Sequence, residues 1–451
     1  MNKDDIKSSV KNLLPASLHP MGKSILRFYH TINGVGSKFR MKIHYAKIHH
    51  SYARNLKRLN TKISSGNETI RCVYFALFDS VWKCDGLYQL MQTDSRFEPI
   101  VLVCPVVNYG RDNMLKRMEA CYQLMKSKGY NVIKAYDVDT DSYVDVNKEL
   151  HPDIIVYTNP YAGLIDGRYY IRNFEQILTI YIPYFFGLNI YFRAFDNQYL
   201  HNIVWRLYCE TDTHKGYYLK YQDMKGKNVV TTGYPGIDRL LTQDFTVKTQ
   251  EMRKTIIWAP HHSISPVGKV NFSCFIKYSD FMLSLAEKFQ NEVQFIFKPH
   301  PLLKNKLYEA WGGQKTDEYY HKWETMPNTS LQDGEYIGLF LTSDAMIHDS
   351  GSFLMEYLYT RKPVMRTMND IDPKTMYNDF ALDALEVYYK AYSEQDIEKF
   401  IQNVICGIDP KKDAREEFFR EQLLPPNGEL PSINIMNDIV DSIENLIVHR
   451  N

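Results

Sequence analysis

Three segments of this 451-residue chain each carry histidine just after an apolar run. They are IIWAPHH, with His261 and His262; FIFKPHP, with Lys298 and His300; and AMIHDSGS, with His348, Asp349, Ser350, Gly351 and Ser352. An imidazole can donate to a phosphate oxygen, protonate a leaving phosphate or act as a base near neutral pH. Lys298 adds positive charge beside His300. The small hydroxyl residues of Ser350–Ser352 open a predicted helix, whose free backbone N–H groups and dipole attract anions. These residue types together predict a site for the diphosphate of an activated nucleotide, and therefore a transferase.

Other residues extend or compete with that reading. Arg366 ends the next predicted strand and is placed to meet the diphosphate or to form a rim ion pair. Glu356 lies one helical turn after Ser352, on the same face. It is placed to take ribose hydroxyls, or it is an ordinary helix glutamate. Asp349 can orient His348 or cap the helix that follows. Zinc is the rival ligand of a histidine cluster. No His-x-x-x-His spacing, nearby Cys pair or Asp-x-Asp stretch marks these loops, so neither metal nor cofactor is expected. In the first half, FDSVWKCDGLY sets Asp79, Trp82 and Asp85 toward a cleft. Asp85 is the candidate base for an acceptor hydroxyl, or the N-cap of the helix GLYQLM. Asp238, in GYPGID, faces the same cleft or marks the crossing between halves.

Those loops need strands to aim them. From Arg71 onward the near-continuous apolar runs RCVYFALF, PIVLVCPVV, NVIKAYD, PDIIVYTNP and ILTIYIPYFF read as strands buried on both faces. Helical patterns lie between them at CDGLYQLMQ and at 112–128, where Met114, Met118, Tyr122 and Met125 recur every three or four residues. The rhythm restarts with KTIIWAPHH, the helix FSCFIKYSDFMLSLAEKF, VQFIFKPHP, LFLTSDAMIHD, a helix around Phe353–Tyr359, and KPVMRTM. Two more helices, AYSEQDIEKFIQNVI and SINIMNDIVDSIENLIVH, follow. Such alternation predicts parallel sheets with helices on both faces. Two successive Rossmann-like halves predict an α/β GT-B architecture. Its parts are a basic N-terminal arm at 1–65, an acceptor domain at 66–235, a nucleotide-donor domain at 236–405 and C-terminal helices at 406–451. Ligands of open α/β sheets bind beyond the carboxyl ends of the strands. That rule gathers APHH, KPHP and HDSGS on one rim.

The composition is that of a globular protein, with 44% hydrophobic and 24% charged residues. The 34 tyrosines suit sugar or nucleotide clefts, or half-exposed core edges. Seven cysteines without a C-x-x-C pair read as reduced core thiols of a cytosolic protein. No apolar run reaches the roughly 18 residues that span a bilayer, and the N-terminus lacks a secretory apolar core. Residues 1–62 hold 13 Lys and Arg against Asp4 and Asp5, although the whole chain is nearly neutral. The interleaved Ile25, Leu26, Phe28, Tyr29, Ile32, Phe39 and Met41 suit an anionic membrane surface. Nucleic acid is the rival partner of such an arm and is not expected.

The ordered series TGYPGIDRL, WAPHH, FKPHP and IHDSGSFLMEYLYTRKPV resembles the CDP-glycerol glycerophosphotransferase family of bacterial wall and capsule synthesis, over residues 70–405. That family carries a G-x-P-x-x-D turn, an A-P segment after a strand, an H-P element, and D-Y-S-S followed by K-P-V. Asp349, Ser352, Lys362 and Pro363 match the last of these, and His300 matches the H-P element. The resemblance implies transfer of an alditol phosphate, such as glycerol phosphate, from a CDP-activated donor to a glycan or lipid-linked acceptor. It also implies an enzyme peripheral on the inner face of the cell membrane. The family's W-H-G-T-P segment, whose His serves as base, corresponds here to YIPYFFGLNI, with Phe186 at the His position. A GT-B glycosyltransferase using a nucleotide sugar is the alternative.

Overall fold

A computed structural model describes residues 19–66, 68–78, 82–108, 110–242, 253–264 and 272–445, with backbone alone for 19–39. Asp79 and the first 18 residues of the expected arm lie outside the described residues.

The first half is a seven-stranded parallel sheet. Its strands are β1 (Ile70–Ala76), β2 (Phe97–Val103), β3 (Val132–Lys134), β6 (Ile154–Tyr157), β7 (Leu178–Tyr181), β8 (Arg206–Cys209) and β9 (Val229–Thr231). They lie in the order β3-β2-β1-β6-β7-β8-β9. Two short strands, β4 (Tyr136–Asp137) and β5 (Ser142–Tyr143), form an antiparallel pair beside it. The central strands are buried along nearly their whole length, as Ile154–Tyr157 shows, because helices cover both faces.

The second half repeats the plan with six parallel strands: β10 (Lys254–Ala259), β11 (Val293–Phe297), β12 (Thr329–Leu331), β13 (Ala345–His348), β14 (Val364–Thr367) and β15 (Tyr389–Ala391). Their order is β12-β11-β10-β13-β14-β15. Chain order runs outward in opposite directions from β10 and β13, which pair in parallel with Ala259 opposite His348. Such a reversal leaves a crevice beyond the two strand ends, where open α/β sheets bind ligands.

Both ends of the chain return to the first sheet. Ile435, Met436, Ile439 and Ile443 of the helix Pro431–Glu444 join its core. So do Tyr45, Ile48, Tyr52 and Leu59 of the helix His19–Ser65. Their spacing of three, four and seven residues puts them on one helical face. From Met41 onward, then, the basic segment is not a free arm but part of the first half's core. Its cations Lys42, Lys47, Arg54 and Lys57 remain exposed on the other side. Arg58 and Lys62 instead pair with the buried Asp153 at 2.7 and 2.9 Å. Six cysteines are buried, as expected, and Cys406 is exposed; all are free thiols.

Candidate anion-binding site

Asp349 is the first residue after β13, and His261 is the second after β10. One Asp349 oxygen accepts the His261 N–H at 2.5 Å. The other accepts the Cys274 N–H at 2.7 Å, at the start of the helix Phe275–Lys288. Burial lifts its pKa to about 6, against the pull of those two amides and of Arg366. Asp349 therefore clamps two loops together. It does not orient His348, cap its own helix or stand open to a donor, as the sequence reading had it.

The clamp helps to gather three imidazoles. Ring centroids of His261 and His262 lie 4.2 Å apart, those of His262 and His300 4.2 Å, and those of His261 and His300 5.1 Å. The His300 amide donates to Pro260 O at 3.0 Å, which ties the KPHP loop to the APHH loop. Burial keeps the rings neutral, and their mutual repulsion adds to it. His261 falls to about 2 and His300 to about 3, while His262 is lowered by burial and by Lys306.

Backbone amides fix the tautomers. Ser263 N–H points at His261 Nδ1 at 3.2 Å, and Leu302 N–H points at His300 Nδ1 at 3.1 Å. An Nδ1 that accepts leaves the proton on Nε2. Two neutral rings thus carry Nε2–H donors in one cluster. Their ligand atoms all lie within 4.8 Å of one another, close enough to share a metal ion. A metal-bound histidine, however, ordinarily donates its other N–H to a carboxylate or carbonyl. Here the other nitrogen meets donors, a polarity that suits an anion.

Lys298, directly after β11, is 5% exposed. Burial lowers its pKa, and no described carboxylate lies within ion-pair distance of its Nζ. Its charge is felt at His300. An anion at the histidines would supply the counter-charge it lacks.

Other expected site residues are consumed by structure. His348 is fully buried, and its Nε2 donates to Tyr388 Oη at 3.2 Å, since that hydroxyl spends its own proton on Leu354 O. It belongs to the core, not to the rim. Ser350 Oγ accepts the Ser352 N–H at 3.1 Å, and its carbonyl accepts Arg366 Nη1 at 3.1 Å. Arg366 Nη2 donates to Tyr377 Oη at 2.8 Å. The arginine is buried and braces the loop from beneath. Ser352 is exposed and Gly351 half-buried, but the helix they open is a single turn, Phe353–Glu356, running into a 3-10 turn. The expected pull of a helix dipole is correspondingly small. Phe272 completes this side, edge-on to His261 at 5.4 Å and stacked on Tyr377 at 5.8 Å.

Glu356 does not await a ribose. It accepts from Tyr234 Oη at 3.2 Å and from Tyr336 Oη, with Lys83 Nζ of the first half at 4.0 Å. It is a buried joint between the halves. Asp85 is not a free base either. It takes Trp82 Nε1 at 2.8 Å, Tyr130 Oη at 2.6 Å and Lys128 Nζ at 2.7 Å. Asp238 is packed against Ser432, at the first turn of the helix Pro431–Glu444, and against Gly86. A Cβ on Gly86 would stand 2.4 Å from its Oδ2. It marks the crossing between the halves, and burial raises it to about 6.

Two acids escape the sequence reading. Glu210 directly follows β8 and Asp196 closes the one-turn helix Phe192–Phe195. Burial raises them to about 8 and about 7.

The family described as CDP-glycerol:poly(glycerophosphate) glycerophosphotransferase matches residues 207–421, a span that holds the whole second sheet and the histidine cluster. Over this segment, a little under half of the chain, the sequence is similar to that family. The teichoic acid ribitol-phosphate polymerase TarL of Staphylococcus aureus (strain NCTC 8325 / PS 47) is 26% identical over 240 residues, 50% of this chain and 38% of that protein. The chain thus spans well under two thirds of that relative's length. The wall teichoic acid polymerase TagF, solved as a histidine variant with CDPG, superposes with a TM-score of 0.55 at 14% identity, over 91% of this chain and 98% of that one. An S. aureus MnaA–UDP co-structure gives 0.53 at 14% identity, over 85% and 99%. At such identity these likenesses speak for the fold alone, and the fold is GT-B.

Proposed function

We propose that the protein moves an alditol phosphate, such as glycerol or ribitol phosphate, from a CDP-activated donor to a hydroxyl of a growing cell-surface polymer. The observation that carries this reading is the cluster of His261, His262 and His300 with the unpaired Lys298 at the β10–β13 crevice. The cluster's N–H donors and single charge are set where a diphosphate needs them. The family match over residues 207–421 and the relatives' names support the same class of reaction.

In this scheme the acceptor oxygen attacks the β-phosphorus. The new O–P bond forms as the bond to the bridging oxygen breaks, and CMP leaves. Charge grows on the phosphoryl oxygens and on the leaving phosphate. The Nε2–H groups of His261 and His300 and the Lys298 ammonium stabilise it, so positioning and electrostatics carry the catalysis. The amides facing Nδ1 favour a metal-independent reaction. The second half grips the donor, and the first half presents the acceptor. The exposed Lys42, Lys47, Arg54 and Lys57 suit an anionic membrane surface, with the protein peripheral on the cytoplasmic face and serving wall or capsule polymer. No helix among the described residues is long and apolar enough to cross a membrane.

Transfer from a nucleotide sugar is the second reading, because the same crevice fits any nucleoside diphosphate and the fold is shared with a protein solved with UDP. Thermal stabilisation by CDP-glycerol, CDP-ribitol and UDP-N-acetylglucosamine, followed by product analysis, separates the two. The expected result is stabilisation by a CDP-alditol, with CMP and a phosphodiester formed. Stabilisation by the nucleotide sugar alone, with a glycosidic product, would reverse the assignment.

A further inference from the structure

Attack on the donor needs a group to take the acceptor's proton, and the candidates seen in the sequence are spent: Asp85 on three donors, His348 in the core. The carboxyl rim of the first sheet offers another pair. Glu210 leaves β8 with 6% of its surface exposed. Asp196 sits half-buried over the same rim, and no described residue gives its carboxylate a hydrogen bond or an ion pair.

The rim is joined to the donor side. Gly187, whose amide faces Glu210, gives its carbonyl to Asn378 Nδ2 at 2.7 Å. The Asn378 N–H donates to Leu188 O at 2.9 Å, and Ile190 N–H donates to Met376 O at 3.1 Å. Between them lies Tyr377, which touches Arg366 and Phe272 of the donor crevice. The stretch 187–190, beside Glu210, is therefore hydrogen-bonded to the second half next to Arg366 and Phe272.

We propose that Asp196 is the base that receives the acceptor's hydroxyl proton, with Glu210 as a positioning residue that confines the pair to one negative charge. The assignment rests on the donor reading above. The acceptor hydroxyl loses its proton to an Asp196 oxygen as its own oxygen bonds to the β-phosphorus. The electron pair of the broken P–O bond leaves with CMP, and the proton later passes to water.

The surroundings agree. Asp196 is faced by Tyr161, Tyr181, Tyr217 and Tyr218, and by Glu210 itself. Glu210 is faced also by Tyr234 and Tyr359. Neither acid forms a salt bridge among the described residues. Burial raises both acids, and the charge of Asp196 raises Glu210 further, which disfavours ionising the two together. With the pair at about 7 and about 8, a base near 7 suits the task.

The test compares wild type with Asp196→Asn, Asp196→Glu and Glu210→Gln. CMP release is measured from CDP-glycerol and CDP-ribitol, with a short synthetic alditol-phosphate oligomer as acceptor. Donor binding is followed separately by thermal stabilisation. Asp196→Asn should lower kcat by about 10²–10⁴-fold with donor stabilisation unchanged. Asp196→Glu should recover part of the loss, and Glu210→Gln should move the acidic limb of the pH–rate profile. An Asp196→Asn enzyme within about threefold of wild type would refute the base, as would equal loss of turnover and donor binding. Wild-type protein stabilised by neither CDP donor would instead sink the donor reading, and this assignment with it.

Discussion

Asp349 and His261, one residue past β13 and two past β10, are locked by a 2.5 Å bond from the histidine amide to the carboxylate. The second Asp349 oxygen holds Cys274, so the carboxylate sets the loop that carries the cluster. Asparagine can accept from only one of these amides and turns an N–H₂ toward the other. Asp349→Asn should cost about 1–3 kcal/mol and weaken donor binding by loosening His261. The pH dependence has a definite sign. The folded pKa of about 6 lies above the ordinary 3.8, so this group's contribution to stability is full below 3.8 and is lost as pH rises through 6. The gap between wild type and variant should therefore narrow between pH 4 and pH 7 in chemical denaturation. A gap that widens would show that the carboxylate is held by more than these two amides.

His261 and His300 lead to a linkage prediction. Burial keeps both rings neutral, at about 2 and about 3. Each Nδ1 already accepts a backbone amide, so the rings should stay neutral Nε2–H donors when a diphosphate binds. Their protonation should therefore add no pH dependence to CDP-glycerol affinity between pH 8 and 6. Calorimetry in two buffers of different ionisation heat should register no proton uptake by these rings on binding. Replacing His300 by alanine removes a hydrogen bond to a charged ligand, about 1.5–3 kcal/mol, or roughly ten- to a hundredfold in affinity. Undiminished binding by the His300→Ala variant would place the phosphates elsewhere.

The sequence made the frame legible where burial was continuous. IIWA and FIF are apolar without interruption because their strands lie inside the sheet, and the histidine loops could be located because each follows such a run. The strands β9, β12 and β15 escaped notice. They are sheet edges of three residues each, too short for a pattern, and Ser330 and Lys390 interrupt two of them. β8 is interior but only four residues long and begins with Arg206. His348 was misread by a single residue. It is the last residue of β13 and pairs with Ala259, so strand alternation turns its ring into the core with Met346. Glu356 and Arg366 were misread because their partners Tyr234, Tyr336, Ser350 and Tyr377 are set by tertiary folding. Asp196 and Glu210 carry no local mark at all, since their character comes from burial set by tertiary folding.

Lys298 offers the clearest separation of stability from function. Its ammonium is buried with no described carboxylate within ion-pair distance, and burial lowers its pKa against the longer-range pull of Asp333 and Glu335. Lysine below its usual pKa costs the folded protein free energy at neutral pH, because the unfolded chain keeps the proton more easily. Methionine keeps most of the stem's volume and drops the charge. Lys298→Met should therefore melt at the same temperature as wild type or higher. The same variant should bind CDP-glycerol at least about tenfold more weakly, since a desolvated cation facing a diphosphate contributes about 1.5–3 kcal/mol. The opposite pattern, a lower melting temperature with undiminished binding, would mean that the ammonium serves the fold rather than the ligand.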